Sequence, residues 1–341
     1  MPIASTVNYQ QILSMALEDR SRGFQDLVST DNALLTILKR KNAWKTYSGP
    51  RIRVTLQIDK ADVQWYNGFD YLDAPPIELF NDAYFTPKMM AVPVALPMEE
   101  ILNNAGHSQI LDTMDSYMTA AEGAAKDGMD LALHGDGTAD GGKQLTGLRA
   151  TLPTVTNTGT YGGIDRSVAA NALWRTYTYD ANSDFSTIGT QVNSTTIRPM
   201  LNSIMTRRAR GRKAPDLLLM SPEHYAAYDA ATIAIQRIND VNSLGSLGFS
   251  SFKYYGGGRQ AEIVQDGGDG TNMPANTTYL INTDDLEIRY NPQRNFSKLF
   301  EGDGQHPINQ DAIVQYLGWM GELILKNPLF SAKFYDSNPS A

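Results

Sequence analysis

A chain of 341 residues with 42% hydrophobic and 19% charged residues has enough apolar surface to bury one large core or two modest ones, which argues against intrinsic disorder. It has no cysteine, which excludes disulfides, zinc–thiolate sites, iron–sulfur clusters and thiol nucleophiles together. A net charge of −8 weighs against a dedicated nucleic-acid binder, whose salt-dependent affinity needs a basic excess.

The opening MPIASTVNYQQILSMALEDR lacks the basic start and continuous apolar run of a signal peptide, so no export is expected. The densest apolar region, Ile313 to Leu325, is broken by Gln315, Gly318, Gly321 and Glu322, and no stretch reaches the roughly 20 residues that span a bilayer. A soluble protein made in the cytoplasm is expected. Between Asn8 and Lys41 two short, highly charged helical patterns run through Ile12, Met15, Ala16 and Leu27, and then through Leu34, Leu35 and Leu38. They read either as an arm that needs a partner surface or as amphipathic helices packing on their own core.

In RIRVTLQI, residues 51–58, Ile52, Val54, Leu56 and Ile58 alternate with polar residues, the pattern of a half-buried strand. An aromatic excursion through Trp65, Tyr66, Phe69 and Tyr71 follows, then a second extended run from Tyr84 to Leu96. Pro87 and Pro93 cannot donate to a ladder, so this run belongs at a sheet edge or in a ribbon with little sheet around it. Arms of about 18 residues at about 3.3 Å each predict a two-stranded ribbon of about 60 Å, which would project from a body of about 20 Å radius of gyration.

From His107 to His134 the period becomes helical, and the glycine-rich LHGDGTADGG ends the helix. The stretch from Tyr161 to Gly189, rich in Gly, Asn, Asp and Ser, reads as loop. A second compact region begins near Thr195. It opens with a helix from Thr196 to about Ala209 that ends in RRARGRK, continues with the buried strand DLLLM at 216–220, and starts a new helix at Ser221-Pro222-Glu223. Strands are predicted at 261–264, 278–281 and 286–290, the last two as a hairpin around Asn282 to Asp285. Long strands apolar on both faces are predicted between Ile308 and Tyr335.

Candidate chemistry is sparse. Gly137 to Lys143 approaches the phosphate-cradling pattern GxxxxGK[ST], but Gln144 replaces the hydroxyl that would hold magnesium and the loop follows a helix where the motif needs a strand. Acidic loops at Asp136 and Asp140, at Asp266 and Asp269, and at Glu301 and Asp303 lack the spaced ligand series of a calcium loop and read as solvated turns. The histidines, His107, His134, His224 and His306, include no HxxxH pair, and no GxSxG marks a nucleophile elbow. No catalytic, cofactor or metal residue is therefore assigned, and no enzyme is expected. The basic run Arg207, Arg208, Arg210, Arg212 and Lys213 reads as a solvated or subunit-pairing face.

Several segments together resemble the major capsid proteins of tailed double-stranded DNA bacteriophages, whose fold is shared with encapsulin shells and the herpesvirus capsid floor. The most specific is YGGIDRS, containing Gly163, Asp165 and Arg166, followed by Ala172-Leu173-Trp174-Arg175. Gly147-Leu148 before it, and RGRKAPDLLLMSPEHYAAY and YLINTDDLEIRY after it, are similar to other family segments in the same order.

The resemblance implies an α+β fold with an N-terminal arm (1–45) and an extended β-hairpin loop (46–96). It further implies a peripheral domain (97–190 and 300–341) with a spine helix near 107–134, and an axial α/β domain (191–299). It implies pentamers and hexamers closing into an icosahedral shell around DNA that is not bound sequence-specifically, where an acidic or neutral wall keeps the polyanion from adhering. Candidate contacts between subunits are Arg51, Arg53, Trp65, Tyr66, Phe69, Tyr71, Arg207 and Arg208. No helical segment of about a hundred residues precedes the arm, so a separate scaffolding protein is the expected partner, with portal and decoration proteins, no membrane, and the virion as location after assembly in the host cytoplasm. The alternatives are an encapsulin-like nanocompartment shell, a secreted β-rich adhesin, or a small-molecule enzyme.

Overall fold

The computed structural model describes residues 32–57, 63–72, 79–99, 107–232, 251–267, 272–299 and 311–339. Two sheets organise the body. The first has four strands in the order β1 (Trp44–Thr46), β12 (Leu286–Lys298), β13 (Ala312–Leu325) and β4 (Lys88–Pro97). The second has six, in the order β7 (Tyr177–Asp180), β14 (Ala332–Tyr335), β11 (Thr277–Ile281), β8 (Leu217–Met220), β10 (Arg259–Gln265) and β9 (Ser251–Gly256).

The long strand β13 is buried along nearly its whole length, as its apolar residues on both faces predict. β4 pairs with it at one edge, which is where Pro93 and Pro97 do least harm to a ladder. Across β4 lies α2 (His107–His134), the predicted long helix, with Met118, Ala121, Ala125, Met129 and Ala132 buried. The chain leaving α2 turns back over the helix end at Gly147, where a Cβ would overlap the carbonyl oxygens of Ala132 and Leu133. Among the described residues no helix is long and apolar enough to cross a membrane.

The all-apolar β8 owes its composition to burial on both faces. Leu217 and Leu219 join the core beneath α2, whereas Leu218 and Met220 join a second core closed by α3 (Ile197–Arg208) and α4 (Pro222–Thr232). Each fully buried leucine in such a layer stabilises the fold by roughly 1.5–3 kcal/mol. Ser221 precedes α4 and Pro222 opens it, as predicted, although the Ser221 hydroxyl also accepts from Thr277 N at 3.3 Å and so ties the helix start to β11.

Four expectations change. The described part of the ribbon consists of β2 (Ile52–Gln57) and β3 (Phe80–Phe85), paired antiparallel over six residues each, about 20 Å; the residues that would continue both arms, 58–62 and 73–78, lie outside the described residues. Thr86-Pro87 interrupts the second run, and beyond it the chain changes sheets. The strands predicted as a hairpin at 278–281 and 286–290 lie in different sheets, because β14 and β8 already occupy both edges of β11. The turn at Asn282 to Asp285 is a corner, held by Asp216, which accepts from Thr283 N at 2.7 Å.

The stretch read as loop after Tyr161 contains β7, a strand of the six-stranded sheet, and a two-residue hairpin joining β5 (Thr160–Tyr161) to β6 (Ile164–Asp165). Gly162 and Gly163 form its turn with φ of 61° and 79°, the left-handed pair that such a hairpin demands. Sheet membership also crosses the expected bounds: β12, expected with 191–299, pairs in the four-stranded sheet, and β7 and β14, expected outside that span, pair in the six-stranded one. Of the two amino-terminal helices the first lies outside the described residues. The second, α1 (Ala33–Arg40), is capped by Asn32 and buries Leu34, Leu35, Ile37 and Leu38 in the main core, and β1 after it joins β12 in parallel.

Candidate functional site

The ribbon has two ends of opposite character. At its base the inward residues Ile52, Val54, Ala83 and Phe85 form a small core with Tyr47, Tyr161, Ile164, Trp174 and Ile324. Phe85 meets the Tyr161 ring edge-on at 5.0 Å, and Tyr161 stacks on Trp174 at 5.5 Å. Gly162 lies against Phe85 and Ala83, and its carbonyl accepts from Tyr84 N at 2.9 Å. On the outer face Arg53 pairs with Asp82 across the ribbon at 2.9 Å, and Asp82 also accepts from the Thr55 hydroxyl at 2.8 Å. Both contacts hold the Asp82 carboxyl below its ordinary range. Arg51 is exposed just before β2.

At the far end Trp65 is 95% exposed, and Tyr66, Phe69 and Tyr71 are exposed with it, alongside Val63 and Leu72. The turn that presents them is local: Asp70 N donates to Asn67 O at 2.8 Å, and Asn67 N donates to the Asp70 carboxylate at 2.7 Å. Four neighbouring aromatic rings in water leave a large apolar area uncovered, the composition of an interface centre. The four aromatics expected to make contacts are thus all exposed, within seven residues of one another along the chain.

The motif that carried the resemblance forms a clasp over the ribbon base. Arg166, only 2% exposed, donates to the carbonyls of Ala150 at 3.1 Å and Thr151 at 3.0 Å, and its guanidinium lies 4.6 Å from the Tyr161 ring centroid. Burial lowers its pKa to about 10. Asp165 accepts from Ser167 N and Oγ, each at 2.8 Å, and Gly163 supplies the turn. Trp174 Nε1 donates to Tyr161 O at 2.9 Å, and Arg175 donates to the carbonyls of Arg166 and Ser167, each at 3.1 Å. Tyr161, buried deeply enough to push its phenol pKa up, accepts from Leu325 N at 3.0 Å and so fastens the clasp to β13. Tyr161 opens the YGGIDRS segment, but the sequence assigned it no role of its own. Its position directly before a Gly-Gly hairpin turn was the available signal.

Arg207 and Arg208, at the end of α3, lie over aromatic rings of the same chain. Arg208 is 3.5 Å from the Tyr177 ring centroid, and Arg207 is 5.6 Å from that of Phe185. Gly137 to Lys143 leaves the C-terminal end of α2, where the helix dipole is negative and repels phosphate. Lys88 Nζ donates to the Gly142 carbonyl there.

The described residues also hold buried polar groups that the sequence did not connect. Glu322 on β13 accepts from Thr146 N at 2.8 Å, and burial pushes its pKa up to about 7 despite that hydrogen bond. His224 Nδ1 lies 2.8 Å from the Thr278 hydroxyl, and burial lowers its pKa to about 4. His134 lies 3.1 Å from Asp266 and 3.6 Å from Asp130, a set of three side chains of metal-ligating type. The sequence assigned no ligands here because Asp130 and His134 are not an HxxxH pair and Asp266 is distant along the chain. Asp136 makes the expected local turn, accepting from Thr138 N at 3.0 Å. Asp269, Glu301, Asp303 and His306 lie outside the described residues.

The fold, with its two-stranded ribbon, a long helix laid across an edge strand and a six-stranded sheet between two cores, is similar to that of solved phage capsid chains. Two solved structures carry it over most of their length. The capsid chain of cyanophage A-1(L) matches with a TM-score of 0.60 at 18% identity, over 86% of this chain and 90% of that one. The capsid of a native GTA particle matches with a TM-score of 0.53 at 10% identity, over 88% of each chain. The sequence matches no protein-family model and no curated protein.

Proposed function

We propose that this chain is the major capsid subunit of a tailed DNA phage, joining copies of itself in rings of five and six that close into an icosahedral shell. The observation that carries this reading is the exposed aromatic tip on a ribbon rooted in its own core. Evolution rarely leaves such a patch in water, and a neighbouring subunit is the surface that a symmetric shell supplies. The likeness in fold to two capsid chains supports it.

The role is structural. Two guanidinium nitrogens of Arg166, the Asp165 carboxylate and the Arg175 guanidinium all bond within the chain itself, so the densest motif is a brace and not a catalytic centre. In this reading 46–96 reaches the neighbour, the four-stranded sheet with α2 forms the peripheral part, and the six-stranded sheet with α3 and α4 forms the axial part. Arg51 and Arg53 flank the ribbon where an acidic neighbour would meet them. Arg207 and Arg208, held on their aromatic rings, present a basic edge to an adjacent axial part. A separate scaffolding protein, a portal and decoration proteins complete the assembly in the host cytoplasm, and the virion is its destination. The enclosed DNA is contained by the acidic chain without sequence-specific contacts.

Expression of the chain followed by sedimentation and electron microscopy tests the proposal. Rings of five or six subunits, or closed shells, are expected. A protein that stays monomeric at high concentration, with and without the products of neighbouring genes, contradicts it. Closed particles filled with another protein instead of DNA in the native source would point to a nanocompartment.

A further inference from the structure

We propose that Asp130, His134 and Asp266 form a binding site for one divalent transition-metal cation, zinc being the best-fitting case, that clamps the end of the spine helix to the six-stranded sheet. Asp130 and His134 stand four residues apart on α2 and so share one face of its last turns. Asp266 follows β10 directly, and its backbone is fixed by a hydrogen bond from Asp266 N to Met220 O at 2.9 Å. One ligand atom from each of the three side chains lies within 4.8 Å of the others. The His134 Nε2 distances, 3.1 Å to Asp266 Oδ2 and 3.6 Å to Asp130 Oδ1, bracket the edge of about 3.4 Å in a tetrahedron with bonds of about 2.1 Å.

The second observation is the state of the imidazole. His134 is 2% exposed and Asp266 7%. Among the described residues neither ring nitrogen of His134 and not the facing Oδ2 of Asp266 has a hydrogen-bond partner, for the close His134–Asp266 approach lacks the direction of a hydrogen bond. Two carboxylates enclosed with one imidazole carry excess negative charge, and among the described residues no lysine or arginine pairs with either of them. Buried charge of this kind is stable when it is paired or coordinates a metal.

The surroundings orient the donors as a metal site requires. Asp130 receives the side-chain amide of Asn32 on one oxygen. On the other it receives Asn272 N and Nδ2, each at 3.1 Å. Asn32 is also the N-cap of α1, so the ion would hold three elements at one point: the start of α1, the end of α2 and the loop after β10. One imidazole with two carboxylates suits zinc, cobalt or manganese, whereas calcium and magnesium favour all-oxygen sites.

The full chain is stripped with chelator, dialysed and titrated with zinc chloride. One zinc per chain and a rise in Tm of roughly 5 °C at saturating metal are expected. His134→Gln and the nearly isosteric Asp266→Asn should each weaken zinc binding by at least about tenfold and lose the Tm rise. Should either variant fail to fold, cobalt chloride added to the unaltered protein gives a second reading: visible ligand-field bands, bleached by zinc, support the site. No zinc uptake, unchanged binding in both variants, or no cobalt bands overturns the proposal and leaves a buried contact between His134 and Asp266 without a metal.

Discussion

The base and the tip of the ribbon use the same side chains to opposite ends. At the base Phe85, Tyr161 and Trp174 are buried within the chain and their polar atoms are matched: Trp174 Nε1 has the Tyr161 carbonyl, and the Tyr161 hydroxyl has Leu325 N. At the tip Trp65, Tyr66, Phe69 and Tyr71 are exposed. Aromatic burial at the base stabilises the subunit, whereas under the proposed function the same area at the tip would be covered by a neighbour. Stability and assembly should therefore be separable by mutation at the two ends of this one segment.

The largest effect on the subunit is expected at the base. Trp174→Ala removes a buried ring, its stack on Tyr161 and an indole hydrogen bond, and should destabilise the isolated subunit by about 3–5 kcal/mol, read as a lower urea midpoint. Arg166→Met is next. It fills similar space but leaves the carbonyls of Ala150 and Thr151 without their donor, for a loss of about 3 kcal/mol in the same assay. An unchanged midpoint in either variant would mean that the clasp does not hold the base.

A smaller, pH-dependent effect belongs to Glu322. Its carboxyl has an ordinary value of 4.5 and a folded value of about 7, so the native state binds more protons between them. Stability from this group is complete below 4.5, falls as pH rises to about 7 and is flat above. Glu322→Gln keeps an acceptor for Thr146 N and cannot ionise. Relative to the parent it should raise Tm more at about pH 8.5 than at about pH 6. An equal shift at both pH values would contradict the assignment.

How much of this contrast was legible in the sequence depended on whether the signal was local. The helix from His107 to His134, the alternation in β2 and the all-apolar β8 are set by periodicity within one segment, and the structure has them where the pattern does. The tip was legible for the same reason, since a run of aromatics between strands needs no distant partner to be noticed. What was lost required knowledge of pairing. The reading of 84–96 as one ribbon arm failed because Pro87 divides that extended run between two sheets, and the 278–290 hairpin failed because β8 and β14 flank β11 from far along the chain. The Asp130, His134 and Asp266 cluster escaped likewise, its third member being brought in by β10.

The most direct test of the central claim replaces the tip alone, with Trp65→Ser, Tyr66→Ser, Phe69→Ser and Tyr71→Ser combined in one chain that keeps the six ribbon pairs. Each substitution at an exposed position should change subunit stability by no more than about 0.5 kcal/mol, while contacts repeated at every symmetry-related position of a shell are lost together. The account predicts a soluble subunit with near-parental Tm that no longer sediments as rings or shells under conditions where the parent does. Normal shells from this variant, or a subunit that fails to fold, would contradict it.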